Sequence, residues 1–239
     1  MILNLGASPI EKPAGDTLSE RAAALVEADI VSGVHAPGSR LAIADLAAHY
    51  SIGATPVREG LSRLIARGLI VAIGQRGFRV SEISRGDLKD ITRLRVLIEC
   101  EALRESMERG DGAWEGAIVA ALHRLRRYAE QNSEGLREGS PEFDALHKGF
   151  HTTLIAQCGS PRMLAAHSDL YDQAYRYRRI MMRTFEEGGE FVDSHRRLAD
   201  LVITRQSAKA QANLAAHLTS TLALVYPETA DRDSRGEGQ

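Results

Sequence analysis

The stretch TPVREGLSRL, residues 55–64, followed by GLIVAIGQRGFRVS, residues 68–81, decides the reading of this chain. In the first part Val57, Leu61, Leu64 and Ile65 recur at helical spacing, and Pro56 suits the first helical turn. Gly68 then stops the helix. In the second part the period changes. Leu69–Ile73 is a strand-like apolar run, Gly74–Gly77 a turn, and Phe78–Ser81 alternates apolar with polar residues, so a β-hairpin is expected.

Working outward toward the N-terminus, Pro37-Gly38 breaks the chain and Ser51-Ile52-Gly53 makes a tight turn. Between them a short helix over 42–50 carries Ile43, Leu46 and Ala47 inward. Before them, Thr17 or Ser19 caps a helix over roughly 18–33, with Leu18, Ala22, Leu25, Val26, Asp29 and Ile30 along one stripe. Three short helices and a two-stranded ribbon are the layout of a winged helix-turn-helix, assigned to residues 17–82. Residues 1–16, rich in Gly, Pro and Ser, read as a flexible arm.

From Asp87 onward the pattern is helical, with helices expected over about 87–109, 113–131, 141–158, 161–187, 190–206 and 207–226. Breaks at Gly110-Asp111-Gly112, Gly139-Ser140-Pro141, Gly159-Ser160-Pro161 and Gly188-Gly189 leave short loops, which imply an antiparallel helical bundle over 83–227. The polar tail 228–239 reads as disordered. The fold class is therefore mainly α.

Composition narrows the function. With 44% hydrophobic residues the chain can bury a core, and its net charge of −2 does not itself point to nucleic acid. The distribution does: between Arg40 and Ser81 six arginines face two acids. The N-terminus lacks the pattern of a signal peptide, and no apolar run approaches the roughly 18 residues of a membrane span. Cys100 and Cys158 form no framework and suit a reducing cytoplasm.

A helix N-terminus entering the major groove offers its first turns to base edges. Arg58 can bond a guanine edge bidentately and Thr55 can reach a base or phosphate. Arg40, Arg63 and Arg67 are candidates for phosphate contacts. In the wing, Arg76 and Gly77 can press close to a groove.

The helical half carries a second constellation. His147 and His151 share one helix face at i,i+4, a spacing usable for metal chelation, while His195 and His217 sit on two later helices within apolar patterns. A bundle can bring all four into one cavity. Nitrogen-only ligation favours zinc, nickel or copper over manganese or calcium, with zinc first and nickel the alternative. Neutral imidazoles leave the metal's charge uncompensated, which suits a small carboxylate effector. Asp144 is placed to support a ligating imidazole. Arg95, paired at i,i+4 with Glu99, is a candidate clamp for the effector, and Asn213, one turn before His217, a candidate to face the same cavity. Tyr175, Arg176 and Arg179 are expected mostly to face solvent. His35, His49, His123 and His167 fit no pattern and read as structural or surface residues.

The segment 55–64 with Gly68-Leu69-Ile70 and Arg76–Val80 resembles the GntR family of regulators, in the FadR-like branch with a helical FCD effector domain. The resemblance spans about 18–226. It implies a cytoplasmic DNA-binding repressor, a homodimer on a two-fold related double-stranded operator. Family members often carry Ser-Arg where this chain has Gly53-Ala54, so base reading falls more heavily on Arg58 and Thr55. The FCD pattern here reads His147…Phe150-His151…Gly159-Ser160-Pro161…His195…His217. It implies that His151, His195 and His217 are metal ligands, with His147 where the family usually has Asp or Asn. Two rival functions stand beside this one. A metal-dependent hydrolase or lyase would use the histidines for turnover, but no His-Glu-x-x-His spacing supplies a base. A dimerising DNA-binding protein without a metal site would leave the histidines incidental.

Overall fold

The computed structural model describes residues 17–74, 77–132, 140–182 and 188–227. The arm 1–16, the tail 228–239 and Arg76 lie outside the described residues. These residues hold nine helices and three short strands, and fall into two compact units divided between Ser81 and Glu82, with Val31–Pro37 counted in the second.

The first unit begins with α1, Leu18–Val31. Thr17 and Glu20 form a reciprocal capping box: the Glu20 amide donates to the Thr17 hydroxyl at 3.2 Å, and the Thr17 amide to the Glu20 carboxylate at 2.9 Å. Helix α1 buries Ser19, Ala22, Val26 and Ile30. Leu18, placed inward by the helical stripe, is instead 56% exposed, because the buried face is set one residue later, by Ser19.

Helices α2, Ile43–Tyr50, and α3, Ala54–Ala66, are joined by a tight turn through Ser51, giving the helix-turn-helix. Helix α3 buries Val57, Gly60, Leu61 and Leu64 and ends before Gly68, where the Leu69 amide donates to the Leu64 carbonyl. Strands β2, Ile70–Ala72, and β3, Phe78–Val80, pair antiparallel with Ile70 opposite Val80.

The expected two-stranded ribbon is a three-stranded sheet. Strand β1, Arg40–Leu41, joins the other edge of β3 with Leu41 opposite Phe78, in the order β1-β3-β2. Two residues are too few to show a strand period, so only the pairing partner reveals it. Leu41, Ile70 and Val80 close the sheet onto the core of α1–α3.

The second unit is helical: α4 (Arg85–Arg109), α5 (Gly112–Gln131), α6 (Pro141–Leu154), α7 (Pro161–Met182), α8 (Gly188–Ile203) and α9 (Ser207–Val225). Ser84 and Asp111 cap α4 and α5 by accepting from the amides of Asp87 and Trp114. Helix α6 ends at Leu154, four residues before the expected end, and the chain turns over Ile155–Cys158. Helix α4 packs on α7 and α9, α5 on α6 and α8, and α9 on α7 and α8. The core runs through Leu103, Trp114, Ile118, Phe143, Phe150, Leu198, Val202 and Leu214. This packing turns the inner faces of α6, α7, α8 and α9 toward one another and so places the histidines.

A close approach in the first unit is testable. A Cβ built on Gly60 would lie 2.8 Å from the Ala23 amide nitrogen and 2.9 Å from the Ser19 carbonyl. These are backbone atoms of α1 and cannot turn aside. Gly60→Ala should push α1 from α3 and destabilise this unit by about 1–3 kcal/mol, read as a lowered denaturation midpoint. An unchanged midpoint would contradict this packing.

Candidate functional site

Burial of one face of α3 decides what its other face can do. With Val57, Leu61 and Leu64 inward, Thr55 and Arg58 stand exposed near the N-terminal end of the helix. Arg40 is exposed on β1, opposite Arg79 of β3. Gly77 holds φ 98° with nothing near its Cβ position, so the hairpin turn requires glycine there and also leaves its surface open. Arg63 lies 3.3 Å from Glu20, and half-buried Arg67 pairs with Glu27. Both therefore reach back to α1.

In the second unit His147 and His151 project from α6, His195 from α8 and His217 from α9. One ring nitrogen of each lies within 4.8 Å of the others, and the first three side chains are at most 3% exposed. The Nε2 atom of His147 is 2.8 Å from Nε2 of His195 and 3.2 Å from Nε2 of His151. Tetrahedral zinc with Zn–N bonds of 2.0–2.1 Å separates its nitrogens by about 3.3 Å, so the spacing fits a bound cation. The His195 Nδ1 lies 2.7 Å from the Phe191 carbonyl, which can only accept. That bond places the His195 proton on Nδ1 and leaves Nε2 a lone pair aimed at the cluster. Phe191 also packs on the His195 ring, with centroids 4.1 Å apart.

Around this centre is a cavity of about 430 Å³, lined among others by Arg95, Arg178, Ser194, Asn213 and His217. Arg95 and Asn213 both face it. Arg95 donates from Nε to Glu99 at 2.7 Å in a buried ion pair. Glu99 is also 3.2 Å from Nδ1 of His167, whose Nε2 is 3.3 Å from the Thr152 hydroxyl. Burial pushes the Glu99 carboxyl up, but Arg95 and His167 outweigh it and hold the group below its ordinary value. His167 is thus buried beside the carboxylate that holds Arg95.

Helix α7 corrects one expectation. Tyr175 and Arg176 are buried and Arg179 is half-buried. Arg178, which the sequence reading passed over, is 5% exposed and reaches the histidines: Nη1 is 2.5 Å from His147 Nδ1 and 2.9 Å from the Tyr171 hydroxyl, while Nη2 is 3.1 Å from Asp144. Tyr171 in turn is 2.7 Å from His147 Nδ1 and donates to Asp144 at 3.0 Å. Asp144 therefore meets His147 through Tyr171. His167, Tyr171, Ala174 and Arg178 fall at i, i+4, i+7 and i+11, a stripe visible in the sequence once α7 is known to bury that face.

Burial holds His147, His151 and His217 well below the ordinary imidazole range. The Arg178 charge beside His147 adds to this, and protonating any one ring would disfavour protonating the next, as with His217 beside His151 and His195 beside His217. Burial pulls His195 down to about 4, against the Phe191 carbonyl that raises it. The four rings are neutral lone-pair donors at neutral pH, the state a metal needs.

Comparison with known proteins adds an independent line. The model for bacterial regulatory proteins of the gntR family matches residues 18–80, and the FCD domain model matches residues 90–220. The chain is 34% identical over 219 residues to the uncharacterized HTH-type transcriptional regulator BphR of Paraburkholderia xenovorans, covering 92% of this chain and 89% of that one. It is 32% identical over 202 residues to the HTH-type transcriptional repressor GlaR of Escherichia coli K12, covering 82% and 90%. The solved structure of E. coli McbR/YncC has the same fold, with a TM-score of 0.74 at 18% identity over 89% of this chain and 98% of that one. No helix among the described residues is long and apolar enough to cross a membrane.

The depressed histidines make stability pH-dependent. As pH falls below about 6.5, the unfolded chain takes up protons that the folded chain refuses, until the folded values are reached, about 4 for His195. Stability is thus present above this window and lost as pH falls through it, each histidine contributing up to about 1.4 kcal/mol per pH unit. Asp144, raised by burial, opposes this with one group. Urea denaturation of metal-stripped protein should show stability falling from pH 6.5 to 5. A flat or rising profile would contradict buried neutral imidazoles.

Proposed function

The chain belongs to the GntR family of bacterial regulatory proteins and carries an FCD domain, and from that membership we propose a repressor whose operator binding is set by a small carboxylate metabolite at a divalent-metal centre. Proteins of this family are transcription regulators that bind DNA operators, not enzymes, and the hydrolase or lyase reading finds no support among the relatives. Repression follows the name of the 32%-identical relative.

The observation that carries the sensing half is the convergence of four imidazoles beside two buried arginines in one cavity. His147, His151, His195 and His217 would hold the metal, zinc or alternatively nickel, as their all-nitrogen donor set favours. A cation held there by these residues would supply a carboxylate with a fifth coordination position. Arg95, oriented by Glu99, and Asn213 would bind and align the rest of the effector. A site of this kind needs no general base, since binding alone is its output.

In the first unit Arg58 and Thr55 would read base edges, with Arg40, Arg76 and Gly77 at the backbone or an adjoining groove. Arg63 and Arg67 would reach phosphates only by leaving Glu20 and Glu27. One such unit makes a small contact, so a homodimer on two-fold related half-sites is the assembly this reading requires. The effector acts by binding the DNA-competent and incompetent arrangements with different affinity. The protein would work in the cytoplasm.

The two halves separate by mutation. Arg58→Ala should weaken operator binding by about 1–3 kcal/mol in a gel-shift titration and leave metal content unchanged. His195→Ala should lower metal content, measured by atomic emission, and abolish the effector response while metal-free operator binding persists. If both variants lose both properties equally, this division of roles is wrong. In a thermal-shift screen with carboxylate metabolites, chelation should lower the melting temperature and remove any effector shift; no change on chelation would contradict the metal centre.

A further inference from the structure

The Nδ1 atom of His147 has two neighbours that make opposite demands on it. Arg178 Nη1, at 2.5 Å, can only donate, so its contact requires a lone pair on Nδ1. Tyr171, at 2.7 Å, has one proton and two acceptors within reach; when it donates to Asp144 at 3.0 Å its oxygen is left to accept, which requires a proton on Nδ1. A neutral imidazole carries one proton and cannot meet both.

The choice decides what the other nitrogen does. With Arg178 on Nδ1, the His147 proton sits on Nε2 and donates to Nε2 of His195, 2.8 Å away, whose own proton is held by the Phe191 carbonyl. That hydrogen bond occupies the lone pair of His195 and closes the centre. With Tyr171 accepting from Nδ1, the His147 Nε2 becomes a lone pair facing that of His195 at 2.8 Å, with Nε2 of His151 at 3.2 Å. Converging lone pairs repel unless a cation lies between them.

We propose that Tyr171, backed by Asp144, is the positioning residue that makes His147 a metal ligand, and that Arg178 competes with it by holding His147 in the non-ligating tautomer. Arg178 is buried and bonded to Asp144, Tyr171 and His147 at once, which holds it at the centre. Its charge also opposes a second cation nearby. Asp144, three residues before His147, here supports a ligand through Tyr171.

This inference rests on the four-histidine metal reading, and the experiment separates the two. Full-length protein stripped with chelator is titrated with Zn(II) against a chromophoric competitor, with circular dichroism reporting the fold of each variant. Tyr171→Phe should weaken zinc binding by about 10–100-fold, the usual effect of losing the partner of a ligating imidazole. Arg178→Gln, which removes the charge and keeps an amide donor, should tighten it several-fold. Where Arg178→Gln does not fold, Arg178→Met, which removes both charge and donors, carries the test and should likewise tighten zinc binding. Co(II) spectra give a second readout: the four-coordinate absorption of the wild type should change in energy and intensity in Tyr171→Phe. A merely structural role would move both variants in the same direction. Weaker binding by Arg178→Gln, or unchanged binding by Tyr171→Phe, overturns the proposal while the metal reading stands. Failure of the wild type to bind zinc overturns both.

Discussion

Four imidazoles held away from water in the core of a helical bundle are the constraint around which the second unit is arranged. An imidazolium is expensive to bury, and several together repel, so the rings are kept neutral and their lone pairs exposed to one another. The surrounding packing follows from that demand. Phe143, Phe150 and Phe191 wall the rings in, and the Phe191 carbonyl fixes the proton of His195. Tyr171 and Arg178 compete for the far side of His147, with Asp144 behind both. A single apolar substitution within such a network strands its partners in a low dielectric, which is why its members are coupled.

The two arginines of the cavity are held differently. Arg95 is tied to Glu99 on its own helix, and Glu99 lies beside His167 of α7. Arg178 is tied to the histidines themselves. One arginine is held by a carboxylate on its own helix, whereas the other contacts an imidazole of the cluster directly.

Much of this was legible in the sequence, for identifiable reasons. The helix-turn-helix showed because Val57, Leu61 and Leu64 keep a helical period and then hand over to the alternation of Phe78–Val80. The histidines showed because His147 and His151 share a helix face and His195 and His217 sit inside apolar stripes. Strand β1 did not show, since Arg40–Leu41 is defined by its partner β3 and not by its own pattern. Arg178, Tyr171 and His167 did not show either. Helix α7 carries charge and aromatics all round, and which stripe turns inward is settled by α4 and α9 packing on it. Buried Arg176 and Tyr175 were misplaced for the same reason.

The most direct measurement is X-ray absorption at the zinc edge on protein purified without added chelator. The geometry of His147, His151, His195 and His217 calls for a nitrogen shell at about 2.0–2.1 Å with the outer scattering of at least three imidazole rings. A sulfur shell, an oxygen shell without imidazole scattering, or no stoichiometric metal under any loading condition would contradict a histidine-bound metal as the centre of this domain.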